Sequence, residues 1–184
     1  MLISTDMRKE IIEKVELPEG IKAEIDGNIL RLKKDDKEIT RKIPGLKIKI
    51  QDKEIEIKEE KATKNEKKLI KTIVAHIKNM IKGLNEDFIY KLKICSVHFP
   101  MSVNVEKQEV VIKNFLGEVK PRKAKIPEKV EVKVDKDMII VKSFDKEAAG
   151  QTAANIEKTT RVRSKDRRVF QDGIFIVEKA GEEI

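Results

Sequence analysis

The sequence predicts an α+β protein made of two tandem, duplicated domains, each a mainly antiparallel sheet packed against one helix. Several short segments alternate apolar and polar residues, which is typical of half-buried strands. Each half also contains one segment of helical character, at 66–82 and at 146–160, and part of the first half recurs in the second. From these three observations we expect one domain at residues 1–82 and another at 83–184.

The first domain opens with two predicted hairpins. Alternating apolar residues at 21–32 flank a turn at 26–28 (Asp-Gly-Asn), and those at 46–57 flank a polar link at 51–54. The Ile-Pro-Gly triplet at 43–45 is a break between them. The period of two on both sides of each turn favours antiparallel pairing.

Residues 66–82 have a helical period and end before Gly83, which we interpret as the helix stop. Apolar side chains fall on one face, as expected for a helix that covers a small sheet. The opposite face carries Lys67, Lys71, Lys78 and Lys82. Contact of this face with RNA or a neighbouring protein stays open, but exposure to water is the favoured interpretation.

The second domain repeats the mixture of strands and one helix. We expect strands at 90–94, 101–105, 110–112, 130–134, 138–142 and 174–177, and a helix from Lys146 to about Thr160. Two basic segments, at 120–125 and 161–168, are interpreted as loops.

An internal repeat supports the duplication. Residues 17–33 align without a gap with residues 126–142, and both segments begin with an aliphatic residue followed by Pro-Glu. Apolar alternation and the turn position also agree, and each copy is followed by a helix. We interpret this as two copies of one sheet-plus-helix unit.

The composition excludes several classes of protein. The 184 residues carry 41 Lys and Arg against 33 Asp and Glu, for a formal charge of +8. No apolar run reaches the roughly 18 residues that a membrane span requires. Cys95 is the single cysteine, which excludes an internal disulfide and a cysteine zinc site. With only two histidines, we expect a soluble, intracellular, basic protein without metal or cofactor, and an enzyme is disfavoured.

The basic segments point to nucleic acid. Guanidinium groups pair with phosphate oxygens and stack on bases, so an arginine-rich loop is a natural RNA contact. The alternative is a solvated run of charge. The predicted RNA-binding residues of the first segment are Lys120, Arg122, Lys123 and Lys125, and those of the second are Arg161, Arg163, Lys165, Arg167 and Arg168.

Few other side chains suggest chemistry. Phe170 is a candidate for base stacking, whereas Phe175 in the terminal strand is expected in the core. His98 is interpreted as a strand-end residue with no second candidate metal ligand nearby, and Cys95 as a small packed group. Glu131-Val-Lys133 resembles part of a metal-dependent nuclease motif, but acids and lysines are too frequent here for that pattern to carry weight. We assign no catalytic residue.

The residues at 168–179, RVFQDGIFIVEK, resemble the signature of the archaeal and eukaryotic form of large-subunit ribosomal protein six, numbered nine in eukaryotes. The segments at 114–127 and 150–157 are also similar to that family. The resemblance covers essentially the whole chain, including its duplication. Phe175 occupies the position where the family more often has Tyr.

The resemblance implies a cytoplasmic, ribosome-bound structural protein with no catalytic activity and no cofactor. It implies binding to the 3′ region of the large rRNA near the sarcin–ricin loop, beside neighbouring ribosomal proteins and near translation factors. The domain at 83–184 would be the main rRNA-binding unit. Arg168 and Lys179 would lie nearest the RNA, with Asp172-Gly173 forming the turn before the terminal strand. A structured-RNA-binding module outside the ribosome is the alternative.

Overall fold

The structure, a computed structural model, describes residues 9–51 and 53–184. It divides into two compact units, unit 1 (Met1–Asn85) and unit 2 (Glu86–Ile184). The predicted boundary after residue 82 falls inside the last turn of the helix that closes unit 1.

Over residues 9–51 and 53–85, unit 1 consists of two three-stranded antiparallel sheets and one helix. The elements are β1 (Lys9–Glu16), β2 (Lys22–Asp26), β3 (Ile29–Lys34), β4 (Lys37–Lys42), β5 (Lys47–Gln51), β6 (Glu54–Ala62) and α1 (Lys64–Asn85). The sheets have the strand orders β1-β6-β5 and β2-β3-β4.

Helix α1 starts earlier and ends later than the sequence predicts. Thr63 and Glu66 form a capping box, in which the Thr63 hydroxyl accepts from the Asn65 N–H at 3.3 Å and a Glu66 carboxylate oxygen accepts from the Thr63 N–H at 2.7 Å. Gly83 is not the stop, because it is buried within the helix. Its neighbours Met80 and Leu84 are buried as well, so the packed face of the helix continues past Gly83.

Unit 2 contains a larger sheet of order β11-β12-β7-β13-β14, a smaller one of order β10-β9-β8, and one helix. All of its strand pairs are antiparallel. The elements are β7 (Phe88–Cys95), β8 (Ser102–Glu106), β9 (Glu109–Lys113), β10 (Arg122–Lys125), β11 (Glu131–Asp135), β12 (Met138–Ser143), α2 (Lys146–Thr159), β13 (Gly173–Lys179) and β14 (Glu182–Glu183).

The core of unit 2 lies between its helix and its sheets. Ile156 of α2 and Ile174 of β13 are fully buried in one cluster with Phe115, which lies in a short 3-10 turn at Phe115–Gly117. Asp145 caps α2 by accepting from the Glu147 N–H at 2.9 Å. The predicted helix from Lys146 is therefore confirmed.

The two units repeat the same order of elements, which confirms the duplication but corrects its register. β1 corresponds to β7, β2–β4 to β8–β10, β5–β6 to β11–β12, and α1 to α2, with matching neighbours in both sheets. Residues 126–142 therefore correspond to 43–59 and not to 17–33. Both 43–59 and 126–142 open with Ile-Pro and lead directly into the helix. The wrong alignment arose because every hairpin here shares the same alternation.

Several strands were not predicted. β4 has a single apolar residue, Ile39, and β10 has only Ala124, so neither shows a clear alternation. The segment at 120–125 is consequently not all loop, because Arg122–Lys125 pairs with Glu109–Ile112 of β9. β1 was also missed, since adjacent Ile11 and Ile12 break the period of two.

Candidate nucleic-acid interface

The basic loop, residues 161–168, leaves the end of α2 and leads towards β13. Its base is closed by one buried hydroxyl: Thr160 Oγ1 donates to the Glu157 carbonyl at 3.1 Å and accepts from the Ile174 N–H at 2.9 Å. The hydrogen bonds fix both ends of the connection at a single point of the core. The loop therefore emerges from a rigid base, although it is exposed along its length.

Asp166 organises the loop from within. Its carboxylate accepts from the Arg168 backbone N–H at 2.9 Å and from the Arg168 guanidinium at 2.8 Å and 3.2 Å. The hydrogen bonds from Arg168 lower the pKa of Asp166. Its carbonyl also accepts from the N–H groups of Val169 and Phe170. This single acid thus shapes the turn that presents the surrounding cations.

Arg122 joins the two basic segments. Its guanidinium binds Glu118 through two hydrogen bonds, at 2.6 Å and 2.8 Å, and donates to the carbonyls of Thr159 at 2.7 Å and Arg161 at 3.2 Å. It also lies over the Phe115 ring, 4.3 Å from the centroid. These contacts hold the start of the basic loop against β10. The structure therefore gives Arg122 an anchoring position, and its predicted contact with RNA stays a prediction.

The pKa of Glu118 responds to both basic segments. Hydrogen bonding by Arg122 is the main cause that lowers the pKa of Glu118, and the charge of Lys165 lowers it further against the opposing effect of burial. Because Lys165 belongs to the basic loop, its field reaches the segment before β10. The two basic segments that the sequence placed 36 residues apart (125 to 161) thus share one surface.

Asp172 fastens the far side of the loop. This buried carboxylate accepts from the backbone N–H groups of Val97 at 2.6 Å and His98 at 2.9 Å, and from His98 Nδ1 at 2.6 Å. Burial alone would raise the pKa of Asp172, but the hydrogen bonds from His98 and Val97 outweigh it and lower that pKa. His98 is therefore hydrogen-bonded to a carboxylate that lies 74 positions further along the chain.

The predicted turn at Asp172-Gly173 lies elsewhere, because the turn covers residues 167–169 and Gly173 is the first residue of β13. Gly173 has a steric role: a Cβ there would come within 3.0 Å of the Phe175 ring and 3.6 Å of Thr160 Oγ1. The sequence could not indicate the Asp172–His98 contact, because 73 residues separate the two.

A groove of about 940 Å³ runs beside the loop. Val97, Val162 and Phe175 contribute apolar surface, and Arg161, Arg167 and Arg168 contribute positive charge. Both phenylalanines line this groove, so Phe175 is not in the core as predicted. Phe175 is exposed, whereas Phe170 is half-buried between the His98 ring at 5.1 Å and Lys165 Nζ at 4.6 Å. Phe175 therefore has the more open aromatic face of the two.

The remaining predicted cations differ in their freedom. Arg161, Arg163 and Arg167 have exposed side chains without an ion pair to any residue in the described ranges, and so do Lys120 and Lys125. Lys123 pairs with Glu109 at 2.9 Å. Lys179 lies at the opposite end of β13 from Gly173, about 20 Å along an extended strand. The structure does not bring Lys179 together with Arg168.

Within residues 9–51 and 53–184, no three His, Cys, Asp or Glu side chains are grouped to hold a metal ion. Over the same ranges, no helix is long and apolar enough to cross a membrane. Glu131 and Lys133, which resembled part of a nuclease motif, pair with each other at 3.0 Å on the exposed strand β11. The candidate site is thus a positively charged loop, held in place by hydrogen bonds, beside a groove lined by apolar and arginine side chains.

Comparison with known proteins identifies this arrangement. The family model described as ribosomal protein L6 matches residues 17–87 and again residues 99–173, once in each unit. The large ribosomal subunit protein uL6 of Methanothrix thermoacetophila is 44% identical over 175 residues, covering 94% of this chain and 99% of the relative. The uL6 proteins of Methanococcus vannielii and Methanosarcina mazei are also 44% identical, over 94% and 95% of this chain and 96% and 100% of the relatives.

The chain is therefore a structural, non-enzymatic ribosomal protein. More specifically, it belongs to the ribosomal protein L6 family of the large subunit, as its C-terminal signature predicted. Its partners are accordingly rRNA and other ribosomal proteins, and the predicted ribosome-bound, cytoplasmic location agrees with this membership. The alternative of an RNA-binding module outside the ribosome is set aside.

Proposed function

We propose that unit 2 binds large-subunit rRNA through the basic loop and the adjoining groove. The observation that supports this proposal is that unpaired guanidinium groups are carried by a backbone that hydrogen bonds hold in place. Arg161, Arg163 and Arg167 keep their guanidinium groups unpaired, while Thr160, Arg122 and Asp172 hold the backbone that carries them. A loop already ordered before binding loses less conformational entropy when it binds.

Phosphate neutralisation supplies most of the affinity in this proposal. Each phosphate neutralised by Lys or Arg releases counterions, so affinity falls with salt. Lys120, Lys125 and Lys165 add to the same positive field. Phe175 offers a stacking surface for a base or ribose, next to Phe170, the predicted stacking residue, which lines the same groove. Recognition of RNA shape, with few base-specific contacts, accounts for specificity.

We further propose that the RNA bound is the 3′ region of the large rRNA near the sarcin–ricin loop, with translation factors nearby. The match between residues 168–179 and the family signature supports this placement. Lys179 is too far along β13 to share a phosphate group with Arg168, so in this proposal the two contact separate stretches of RNA.

The test of the basic loop replaces Arg161, Arg163, Arg167 and Arg168 together by Gln in the full-length chain. We expect loss of stable association with large subunits, and a salt dependence of binding to deproteinised large-subunit rRNA that is shallower by about 3 in the log–log slope. The matched control removes four lysines of unit 2 that already pair with acids: Lys91, Lys113, Lys133 and Lys142. Normal incorporation of the arginine variant would overturn the proposal.

The location is tested separately from the binding. Cys95 is the single cysteine, so a Cys95→Ser, Val169→Cys chain accepts one iron–EDTA label at the exposed loop residue Val169. Hydroxyl radicals generated in the assembled subunit should cut rRNA beside the sarcin–ricin loop. Cuts confined to other regions would contradict the location without removing the RNA-binding role of the loop.

A further inference from the structure

Helix α1 of unit 1 carries a lysine stripe, defined as Lys64, Lys67, Lys68, Lys71, Lys78 and Lys82. At 100° per residue these six positions fall within an arc of about 100°, and they extend over about 27 Å of helix. Glu66, the one acid of α1, lies outside the arc and is engaged with Thr63 at the helix start. The stripe is therefore a continuous band of positive charge.

Five of the six lysines of the stripe are not neutralised by the part of the chain that the structure describes. The side chains of Lys64, Lys67, Lys68, Lys71 and Lys78 are exposed and make no ion pair or hydrogen bond with the described residues. Lysines four residues apart, such as Lys64 and Lys68 or Lys67 and Lys71, repel each other along the helix. A helix selected for stability alone would alternate lysine with glutamate on this face.

The rest of unit 1 shows that this alternation is available. Its sheets interleave the same residue types into cross-strand pairs, including Lys14 with Glu54 at 3.1 Å, Lys58 with Glu10 at 2.8 Å and Lys33 with Glu38 at 3.7 Å. The corresponding helix of unit 2, α2, has two lysines and two glutamates. The lysine-rich composition of the chain therefore does not account for the stripe.

We propose that the lysine stripe is a second RNA-binding surface, which contacts the phosphate backbone of large-subunit rRNA independently of the basic loop. The protein is a component of a particle built on a polyanion, and phosphate spacing suits a row of flexible ammonium groups. The stripe has no aromatic or guanidinium group for reading bases, so its contact is electrostatic and not sequence-specific. This inference rests on family membership and not on the proposed role of unit 2.

The decisive measurement is the salt dependence of binding to deproteinised large-subunit rRNA, with the full-length chain. The stripe variant replaces Lys64, Lys68, Lys71 and Lys78 by Gln, which preserves helix propensity and side-chain length. We expect roughly tenfold weaker binding at moderate salt and a log–log slope shallower by about 3. Circular dichroism should show an intact helix, with thermal stability equal to or above that of the unchanged chain because repulsion is removed.

The matched control removes the same charge from the strands of unit 1 and the turn between β5 and β6, with Lys22, Lys42, Lys49 and Lys53, all exposed, replaced by Gln. The proposal predicts a clearly larger loss for the stripe variant than for this control. Equal slopes in the two variants would overturn it. It would also be overturned by a stripe variant that binds rRNA normally but fails to join subunits, because the partner would then be an acidic protein surface.

The basic-loop variant separates this inference from the proposed function. If the loop variant binds normally and the stripe variant does not, the role of the basic loop fails and the stripe stands. The reverse result removes the stripe and leaves the loop. Absence of rRNA binding by the unchanged chain would overturn both.

Discussion

Units 1 and 2 share a scaffold but differ in what is added to it. In both, a strand, a three-stranded antiparallel sheet and a hairpin precede one helix. Only unit 2 continues after its helix, with the basic loop, strand β13 alongside β7, and the edge strand β14 alongside β13. All seven aromatic residues of the chain also lie in residues 86–184. The duplicated part supplies a stable sheet, and the added part supplies an elaborated loop.

The cations follow this division. In unit 2 the free arginines lie on an irregular segment that needs three anchors, at Thr160, Arg122 and Asp172. In unit 1 a row of free lysines lies on α1, where the helix itself fixes their spacing. The positions of the charges on the loop therefore depend on tertiary contacts, whereas the positions of the charges on the helix are set by the helix itself. The following predictions test that contrast, beginning with the largest expected effect.

Truncating the aromatic beneath the junction should have the largest effect. Phe115 is almost fully buried and supports the Arg122 guanidinium. Phe115→Ala should lower the free energy of unfolding by about 4 kcal/mol, measured by urea denaturation followed by circular dichroism. Leu30→Ala, at a fully buried position of unit 1, should cost about 3 kcal/mol. Because Phe115 supports Arg122, which holds the basic loop, only the Phe115 variant should also make the salt dependence of rRNA binding shallower.

Removing the buried carboxylate should come next. Asp172→Ala leaves the Val97 and His98 N–H groups without their acceptor and should cost about 3 kcal/mol. Asp26→Ala is the control in unit 1, since Asp26 is exposed and makes one long ion pair with Arg31 at 3.4 Å. Its effect should stay within about 0.5 kcal/mol. A similar loss for both variants would contradict the anchoring role of Asp172.

The same carboxylate predicts a pH dependence. The folded-state pKa of Asp172 is lowered, so its stabilising contribution is fully present above the unfolded pKa of about 3.9. That contribution is lost as the pH falls through the lower, folded pKa. The stability difference between the unchanged chain and Asp172→Asn should therefore shrink below about pH 4. A difference that stays constant to pH 2, or widens on acidification, would refute the assignment.

Replacing Arg122 should have a smaller effect on the free energy of unfolding but should make the basic loop easier to cleave. Arg122→Lys keeps the charge but loses the two hydrogen bonds from the guanidinium to the Glu118 carboxylate and those to the Thr159 and Arg161 carbonyls. We expect a loss of about 2 kcal/mol and faster tryptic cleavage within residues 161–168, located by mass spectrometry. Arg31→Lys in unit 1 should change stability by at most about 0.5 kcal/mol. Unchanged cleavage in Arg122→Lys would show that the loop does not need this anchor.

The sequence predicted the fold class and both helices because their apolar periods are clear. It failed where a strand carries little apolar surface, as in β4 and β10, since pairing with a neighbour decides those segments. It also misplaced the repeat, because neighbouring hairpins share one pattern. Signals local in sequence were therefore reliable, and those that depend on pairing were not.

For the candidate site, the sequence located the cations but not what holds them. Arg122 is indistinguishable from its basic neighbours until its contacts with Glu118 and the end of α2 are seen. The link between His98 and Asp172 joins residues 74 positions apart. Such contacts depend on the tertiary fold, and no spacing rule along the chain reveals them.

The closure at Thr160 has a consequence for evolution and engineering. One hydroxyl joins the end of α2 to Ile174, so the residues between them form a loop whose ends meet at one point, with further anchors at Arg122 and Asp172. Lengthening such a loop is inexpensive, because each doubling adds only about 0.6 kcal/mol of closure entropy. We therefore expect the exposed residues 163–165, which none of these anchors touches, to tolerate insertions and changes of charge without redesign of the sheet beneath them.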